Sequence, residues 1–142
     1  MSIYFDDQGN IRKELLGEES EKAAKSLVVL RHDGKRDDRG SINSAQLRRF
    51  YGDLKGLEKK LEFKKNDTSQ TDPFLAILPL VKMVKSKVAY ASNPKNPKVP
   101  PAFADWLKKH VDAIETERDF NAFMLHFEAV VGFCYGQGMS NS

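Results

Sequence analysis

Apolar residues recur at helical spacing along most of the chain, and the clearest pattern follows Asn43. Its apolar positions fall three, four and seven residues apart, as on one face of a helix: Leu47, Phe50, Tyr51, Leu54, Leu57 and Leu61. Asn43 is a favoured N-cap residue, and Gln46 stands three residues later, as in a capping box. The pattern therefore predicts a long helix that begins at Ser44. Gly52 and Gly56 within it weaken helix formation and indicate the close approach of a neighbour.

Two shorter helical patterns precede this helix. The segment IRKELL predicts a short helix, and a longer pattern runs from Glu18 to about Leu30, with acidic residues in its first turn that suit the helix dipole. The polar segment RHDGKRDDRG then predicts a flexible loop at residues 31–40. We expect residues 1–40 to form a variable N-terminal region and residues 41–135 to form the core.

The stretch ILPLVKMVKSKVAYAS belongs to a fourth helical pattern. Asp72 predicts its N-cap, Pro73 suits its first turn, and the helix is expected to continue to about Ser92. Pro79 removes a backbone hydrogen bond, so it predicts a kink or a restart of the helix. The next segment, SNPKNPKVPP, holds four of the six prolines and predicts an extended linker.

Two further helical patterns follow the linker. The first is defined by Phe103, Trp106, Leu107, Val111 and Ile114. The second can be capped by Thr116 or Asp119, and its apolar face is formed by Phe120, Phe123, Met124, Phe127, Val131 and Cys134. Apolar residues on its other sides predict burial all round, part of it supplied by another molecule. Because no segment alternates as a strand does, we predict an all-α bundle of about five helices, with the proline-rich linker before the C-terminal pair.

Composition adds a size limit and a charge pattern. The chain has 142 residues, 40% hydrophobic and 30% charged, so a single domain over residues 1–142 is expected. Net charge is only +3, yet residues 41–100 carry 12 Lys or Arg against 5 Asp or Glu, a net charge of +7. Such a basic segment is typical of a polyanion site. With no signal-peptide pattern and no apolar run near the ~20 residues of a membrane helix, we expect a soluble cytoplasmic protein that binds no membrane.

Residue types that support catalysis or metal binding are few and scattered. His32, His110 and His126 lie far apart and do not pair with Cys134 at the short spacing of a zinc site. The single cysteine falls on an apolar helix face, which predicts a buried structural thiol, and Glu128 is expected on a helix flank. No glycine-rich phosphate loop is present. We therefore predict a protein that is not an enzyme and that needs neither metal nor cofactor.

Basic side chains form flanks on the two central helices. At 100° per residue, Arg48, Lys55 and Lys59 share one flank of the first helix, over ~16 Å, and Arg49 lies on the other side. On the second helix, Lys82 and Lys85 share one flank, and Lys87 lies on the other, near Met83 and Tyr90. If the two helices pack through their apolar faces, these flanks can merge into a stripe that binds phosphates without reading bases. The alternative is an ordinary solvated lysine face beside a core tyrosine.

Three segments, in this order, carry a resemblance to a known family. They are SAQLRRFYGDLKGLE, LPLVKMVKSKVAYA and DFNAFMLHFEAVVGF, and together they cover roughly residues 40–135. The chain resembles the small subunit of the type III-A CRISPR interference complexes, the Csm complexes. The family pattern often carries an arginine shortly after the Tyr-Ala pair; Ser92, Asn93, Pro94 and Lys95 stand there in this chain.

The resemblance implies a non-catalytic, all-helical ribonucleoprotein subunit of antiviral defence. Several copies would stack beside the backbone subunits, near the large subunit, and line the groove that holds crRNA and target RNA. The motif match implies RNA contacts by Arg48, Arg49, Lys85 and Lys87, to which the helix flanks add Lys55, Lys59 and Lys82. Tyr90 is then expected in the core rather than against a base. The isolated subunit is expected to self-associate.

Two other functions remain open from the sequence. A helical protein-interaction module without a nucleic-acid role would explain the apolar C-terminal helix and the small net charge. A DNA-binding protein would need a recognition helix that presents several base-reading side chains, and no helix-turn-helix pattern is evident.

Overall fold

The computed structural model describes residues 2–67 and 72–139, and this part of the chain contains six helices. They are α1 (Lys13–Leu16), α2 (Glu18–Leu27), α3 (Ser44–Lys65), α4 (Pro73–Ala91), α5 (Pro101–Ala113) and α6 (Glu117–Gly136). Among the described residues, β-structure is limited to two isolated bridges, Phe5–Ile11 and Leu30–Arg36. Since α1 is a single turn, the prediction of an all-α bundle of about five helices is confirmed.

The helices begin where side chains cap their free amide groups. Asn43 Oδ1 accepts a hydrogen bond from the Gln46 amide at 2.9 Å, so α3 begins at the predicted Ser44. Asp72 caps α4 in the same way, and Pro73 occupies its first turn. At α6, Thr116 and Asp119 form a reciprocal capping box.

Two helix boundaries differ from the predictions. Helix α2 ends at Leu27 instead of Leu30 because Val28 is extended, with φ −124° and ψ 100°. Helix α4 continues through Pro79, so the predicted restart is wrong. Pro79 cannot donate to the carbonyl of Leu75. Both residues are exposed, so water can bond that carbonyl and the helix continues.

The bundle is organised around α6 and α4. Helix α6 packs against α1, α2 and α3, and α4 packs against α3 and α5. The N-terminal segment contributes fully buried side chains, including Tyr4, Leu15, Ala24 and Leu27. The core therefore contains residues 4–28 as well as the segment 41–135. None of the helices among the described residues has both the length and the apolar character needed to cross a bilayer.

Arg12 holds the N-terminal segment on the bundle. Its Nε and Nη2 atoms donate to the carbonyl of Ile3 at 3.0 and 2.7 Å, and Nη1 donates to Glu19 on α2 at 2.6 Å. This hydrogen bond lowers the pKa of Glu19 below its ordinary value. The pair ties residues 3–12 to the first turn of α2.

An aromatic cluster fills the space between α5 and α6. The Trp106 ring lies 5.0 Å from that of Phe127 and 5.7 Å from that of Phe123, and the two imidazoles of His110 and His126 are 4.9 Å apart. These distances are typical of edge and offset ring packing. The cluster therefore links the C-terminal pair of helices through side-chain ring contacts.

Both buried histidines are held by hydrogen bonds from the N-terminal region. The Tyr4 hydroxyl lies 2.8 Å from His110 Nδ1. His126 Nδ1 lies 2.8 Å from the carbonyl of Leu15, to which it donates, and the Ser20 hydroxyl donates to the same carbonyl at 2.6 Å. Burial lowers the pKa of His110 to about 3 and also lowers that of His126. Both imidazoles are therefore neutral in the folded protein near pH 7.

We expect stability to fall in mild acid because these histidines ionise more readily in the unfolded chain. Burying a neutral histidine costs no ionisation energy above pH 6.5, the pKa of histidine in the unfolded chain, so the protein keeps its full stability there. As the pH falls from 6.5 towards about 3, the pKa of His110 in the folded protein, this stability is progressively lost. At pH 5 His110 alone lowers the free energy of unfolding by about 2 kcal/mol relative to pH 8. Urea unfolding at a series of pH values measures this slope. His110→Gln should flatten this dependence of the free energy of unfolding on pH.

Candidate nucleic-acid interface

Two of the predicted contacts on α3 are engaged within the bundle. Arg48 Nε donates to the Tyr135 hydroxyl on α6 at 2.9 Å, and its guanidinium carbon lies 5.8 Å from the centre of that ring. Lys55 forms an ion pair with Glu58 at 2.6 Å and lies 6.0 Å from the centre of the Tyr51 ring. Arg48 thus links α3 to α6, whereas both partners of Lys55 lie on α3 itself.

Two of the predicted contacts on α4 are directed at α5. Lys82 Nζ donates to the carbonyl of Val111 at 2.9 Å and pairs with Glu115 at 3.1 Å. Lys85 Nζ donates to both carboxylate oxygens of Asp112, at 2.9 and 3.0 Å. These lysines bond the last turn of α5, where a cation also complements the helix dipole. Because they face α5, they do not merge with the Arg48 flank of α3 as expected.

The other three predicted contacts are left on the surface. Arg49, Lys59 and Lys87 are exposed, and none of them forms an ion pair with a described residue. Arg49 follows Arg48 by one residue and therefore lies about 100° further around α3. Lys87 lies on the flank of α4 that faces away from α5. These three cations are available to a partner molecule.

The placement of Tyr90 in the core was wrong. Its side chain is 81% exposed, and Met83 on the same helix is 55% exposed. The core face of α4 is formed instead by Phe74, Ile77, Val81, Val84, Val88 and Ala91. Met83, Lys87 and Tyr90 are four and three residues apart, so they share the solvent face of α4. That face presents one cation between two large apolar side chains.

The helical spacing grouped Met83 with Lys87 and Tyr90 on one flank, and the exposure of all three side chains agrees with that grouping. One feature of α3 was misread from the sequence. Gly52 and Gly56 indicated a close neighbour, but a Cβ atom built at either glycine meets no described atom within 4 Å. Within the described chain they mark open surface on α3 between Arg49 and Lys59.

The remaining candidate groups have structural positions. Cys134 is fully buried, and burial raises the pKa of its thiol to about 12, so it stays protonated. Glu128 lies on the exposed side of α6, as predicted. Among residues 2–67 and 72–139, no three His, Cys, Asp or Glu side chains are grouped so that they could hold a metal ion.

Taken together, these observations describe a small all-α protein with exposed cations on its two central helices, Arg49 and Lys59 on α3 and Lys87 on α4. A comparison with family models identifies it further, since the model for Csm2 Type III-A matches residues 12–136. The chain belongs to this family and is a structural small subunit of the type III-A CRISPR Csm complexes. The match includes α1 and α2 in addition to the segments that carried the resemblance. Neither the curated proteins nor the solved structures contain a match.

The two lysines at opposite flanks of α4 allow a matched test of these positions. Lys82→Met should lower the free energy of unfolding by about 1–2 kcal/mol, because it removes a hydrogen bond and an ion pair that link α4 to α5. Lys87→Met should change it by less than about 0.5 kcal/mol. Urea unfolding of the two variants measures both values. Equal values would contradict the different positions given to the two side chains.

Proposed function

We propose that this subunit binds the phosphates of guide and target RNA through the exposed face of α3 and α4. The observation that carries the proposal is the set of exposed cations without ion pairs, Arg49, Lys59 and Lys87, on a chain whose segment 41–100 has a net charge of +7. A surface of this kind neutralises phosphates irrespective of base sequence. Family membership supplies the context, because Csm complexes are the assemblies to which this subunit belongs.

The seven candidate RNA-contact residues have different roles in this proposal, according to the contacts that each makes within the protein. Arg49, Lys59 and Lys87 make the primary phosphate contacts. Arg48 and Lys55 lie at the edge of the face, where RNA would compete with Tyr135 and Glu58. Lys82 and Lys85 mainly hold α5 in place through Glu115 and Asp112.

Tyr90 adds a second kind of contact. Its exposed ring lies one turn from Lys87 on the same face, so a base can stack on the ring while the lysine pairs with the adjoining phosphate. Stacking of this kind tolerates any base. Met83 extends the same face by a further turn and covers the sugar or base edge.

The rest of the proposal, on the assembly, is supported by family membership. The subunit is non-catalytic and acts in the cytoplasm. Several copies self-associate beside the backbone and large subunits, so that their basic faces line one continuous groove for crRNA and target RNA. Gly52 and Gly56 place no side chain on the middle of the α3 face, which lets an RNA backbone approach the helix closely.

The proposal is tested by RNA binding of the triple variant Arg49→Glu, Lys59→Glu, Lys87→Glu. Fluorescence anisotropy with a labelled single-stranded RNA should show a loss of affinity of more than tenfold. If three phosphate contacts are lost, the slope of log K against log salt should become less negative by about 2. Tyr90→Ala should weaken binding by roughly tenfold at every salt concentration, since one stacked base is lost.

The matched control is Lys13→Glu, Lys22→Glu, Lys25→Glu on α1 and α2, which changes the net charge by the same amount. This variant should keep most of the affinity, and its salt slope should stay near that of the wild-type protein. If the two triple variants lose affinity equally, the binding follows net charge and not the α3–α4 face. If neither loses affinity, the assignment of the face is wrong.

A further inference from the structure

A cleft of about 600 Å³ lies at the end of the bundle where α3 and α5 begin. One wall is the loop after α2, which contributes Arg36, Asp38 and Arg39, and the other is the proline-rich linker, which contributes Lys98. This cleft lies outside the α3–α4 face, and its cations are not among the predicted RNA contacts.

Both walls of the cleft are anchored by backbone hydrogen bonds. In the loop, the amide of Asp37 donates to the carbonyl of Val29 at 2.7 Å, and the amide of Val29 donates to the Ser41 hydroxyl at 2.8 Å. In the linker, the amides of Lys98 and Val99 both donate to the carbonyl of Ala91, at 2.7 and 3.1 Å. The basic side chains of the cleft therefore project from fixed backbone positions.

The lining of the cleft has an excess of positive charge. Arg36 pairs with Asp38 at 3.0 Å, and this aspartate is the one carboxylate among the lining residues. Arg36 Nη1 is buried and has no hydrogen-bond partner among the described residues. Arg39 and Lys98 are exposed and form no ion pair with a described residue. The cations that a ligand reaches directly are therefore Arg39 and Lys98, with the guanidinium of Arg36 behind its pair with Asp38.

The two helix ends at the cleft add to its positive potential. Neither α3 nor α5 has an acidic residue in its first turn, whereas α2 and α6 do. Asn43 uses its Oδ1 atom to cap α3, which leaves its side-chain NH₂ group as a donor at the rim. The positive ends of two helix dipoles thus reinforce the cations.

The remaining wall of the cleft is apolar. It is built by Pro97, Val99, Pro100 and Pro101. The cleft as a whole, at about 600 Å³, is larger than a phosphate ion needs. Ligand pockets of roughly 300–1,000 Å³ hold small organic molecules against apolar walls, with a few polar groups that fix their orientation. We propose that the cleft binds the phosphate group of a nucleotide, with the phosphate at Arg36, Arg39 and Lys98 and the sugar or base against the prolines.

The nucleotide can come from two sources that share this chemistry: a free mononucleotide, or one nucleotide of an RNA strand. The proposal does not depend on the α3–α4 face. A free nucleotide would bind at the cleft even if that face contacted no RNA. The two ideas can therefore fail separately.

The test is a titration of the full-length ¹⁵N-labelled protein with AMP and then with a short single-stranded RNA, followed by NMR. AMP should cause saturable shifts of the amides of Ser44, Ala45 and Ala102, at the starts of α3 and α5. The double variant Arg39→Glu, Lys98→Glu should bind AMP at least about tenfold more weakly, because two charge-assisted contacts become repulsive. Lys25→Glu, an exposed charge reversal on α2, should bind like the wild-type protein.

A variant that gains affinity excludes misfolding as the explanation. Asp38→Asn removes the carboxylate that occupies Arg36, so it should bind AMP several-fold more tightly. If RNA but not AMP shifts these amides, and the double variant abolishes those shifts, the nucleotide of a strand is the ligand and the proposal stands. If neither ligand shifts them, or if the double variant binds both like the wild-type protein, the proposal is overturned.

Discussion

The packing of aromatic rings between α5 and α6 is the interaction on which the rest of the structure depends. Trp106, Phe123 and Phe127 join the two helices, and the imidazoles of His110 and His126 complete the cluster. These imidazoles can be buried only in the neutral form, and the N-terminal segment supplies the hydroxyl and carbonyl groups that hold them. The cluster thus couples the C-terminal pair of helices to residues 4–20, far away in sequence.

This largely apolar interior determines where the charges lie. All ion pairs among the described residues have at least one partner with more than 30% of its side chain exposed, so cations are found at helix flanks and ends. There a cation either bonds a neighbouring helix or stays in solvent. Lys82 and Lys87 illustrate the two outcomes on one helix, five residues apart. The difference depends on whether the end of α5 lies within reach of the side chain.

The helices and their starts could be predicted from local signals. Asn43, Asp72 and Thr116 each cap a helix through hydrogen bonds to residues two or three positions away, so the sequence itself contains both partners. The apolar spacing likewise predicted the core faces of α3 and α6. The family was recognised for the same reason, since its motifs are short and continuous.

The division of the basic residues could not be predicted from the sequence. Lys85 meets Asp112 at a separation of 27 residues, and Arg48 meets Tyr135 at 87, so these pairs depend on how the helices pack. Tyr90 was misplaced because the family resemblance assigned its ring to the core, although the apolar series of α4 is complete without it. The contact between His110 and His126 depends in the same way on the packing of α5 against α6.

The open glycines of α3 have a consequence for engineering the protein. Gly52 and Gly56 adopt helical backbone with negative φ, and nothing in the described chain fills the space beside them. Each costs the helix roughly 1 kcal/mol relative to alanine. The isolated subunit is therefore less stable than its own backbone allows. The double variant Gly52→Ala, Gly56→Ala would give a more thermostable protein for biophysical work. It would also distinguish the effect of these glycines on the folding of α3 from their effect on contacts in the assembled complex.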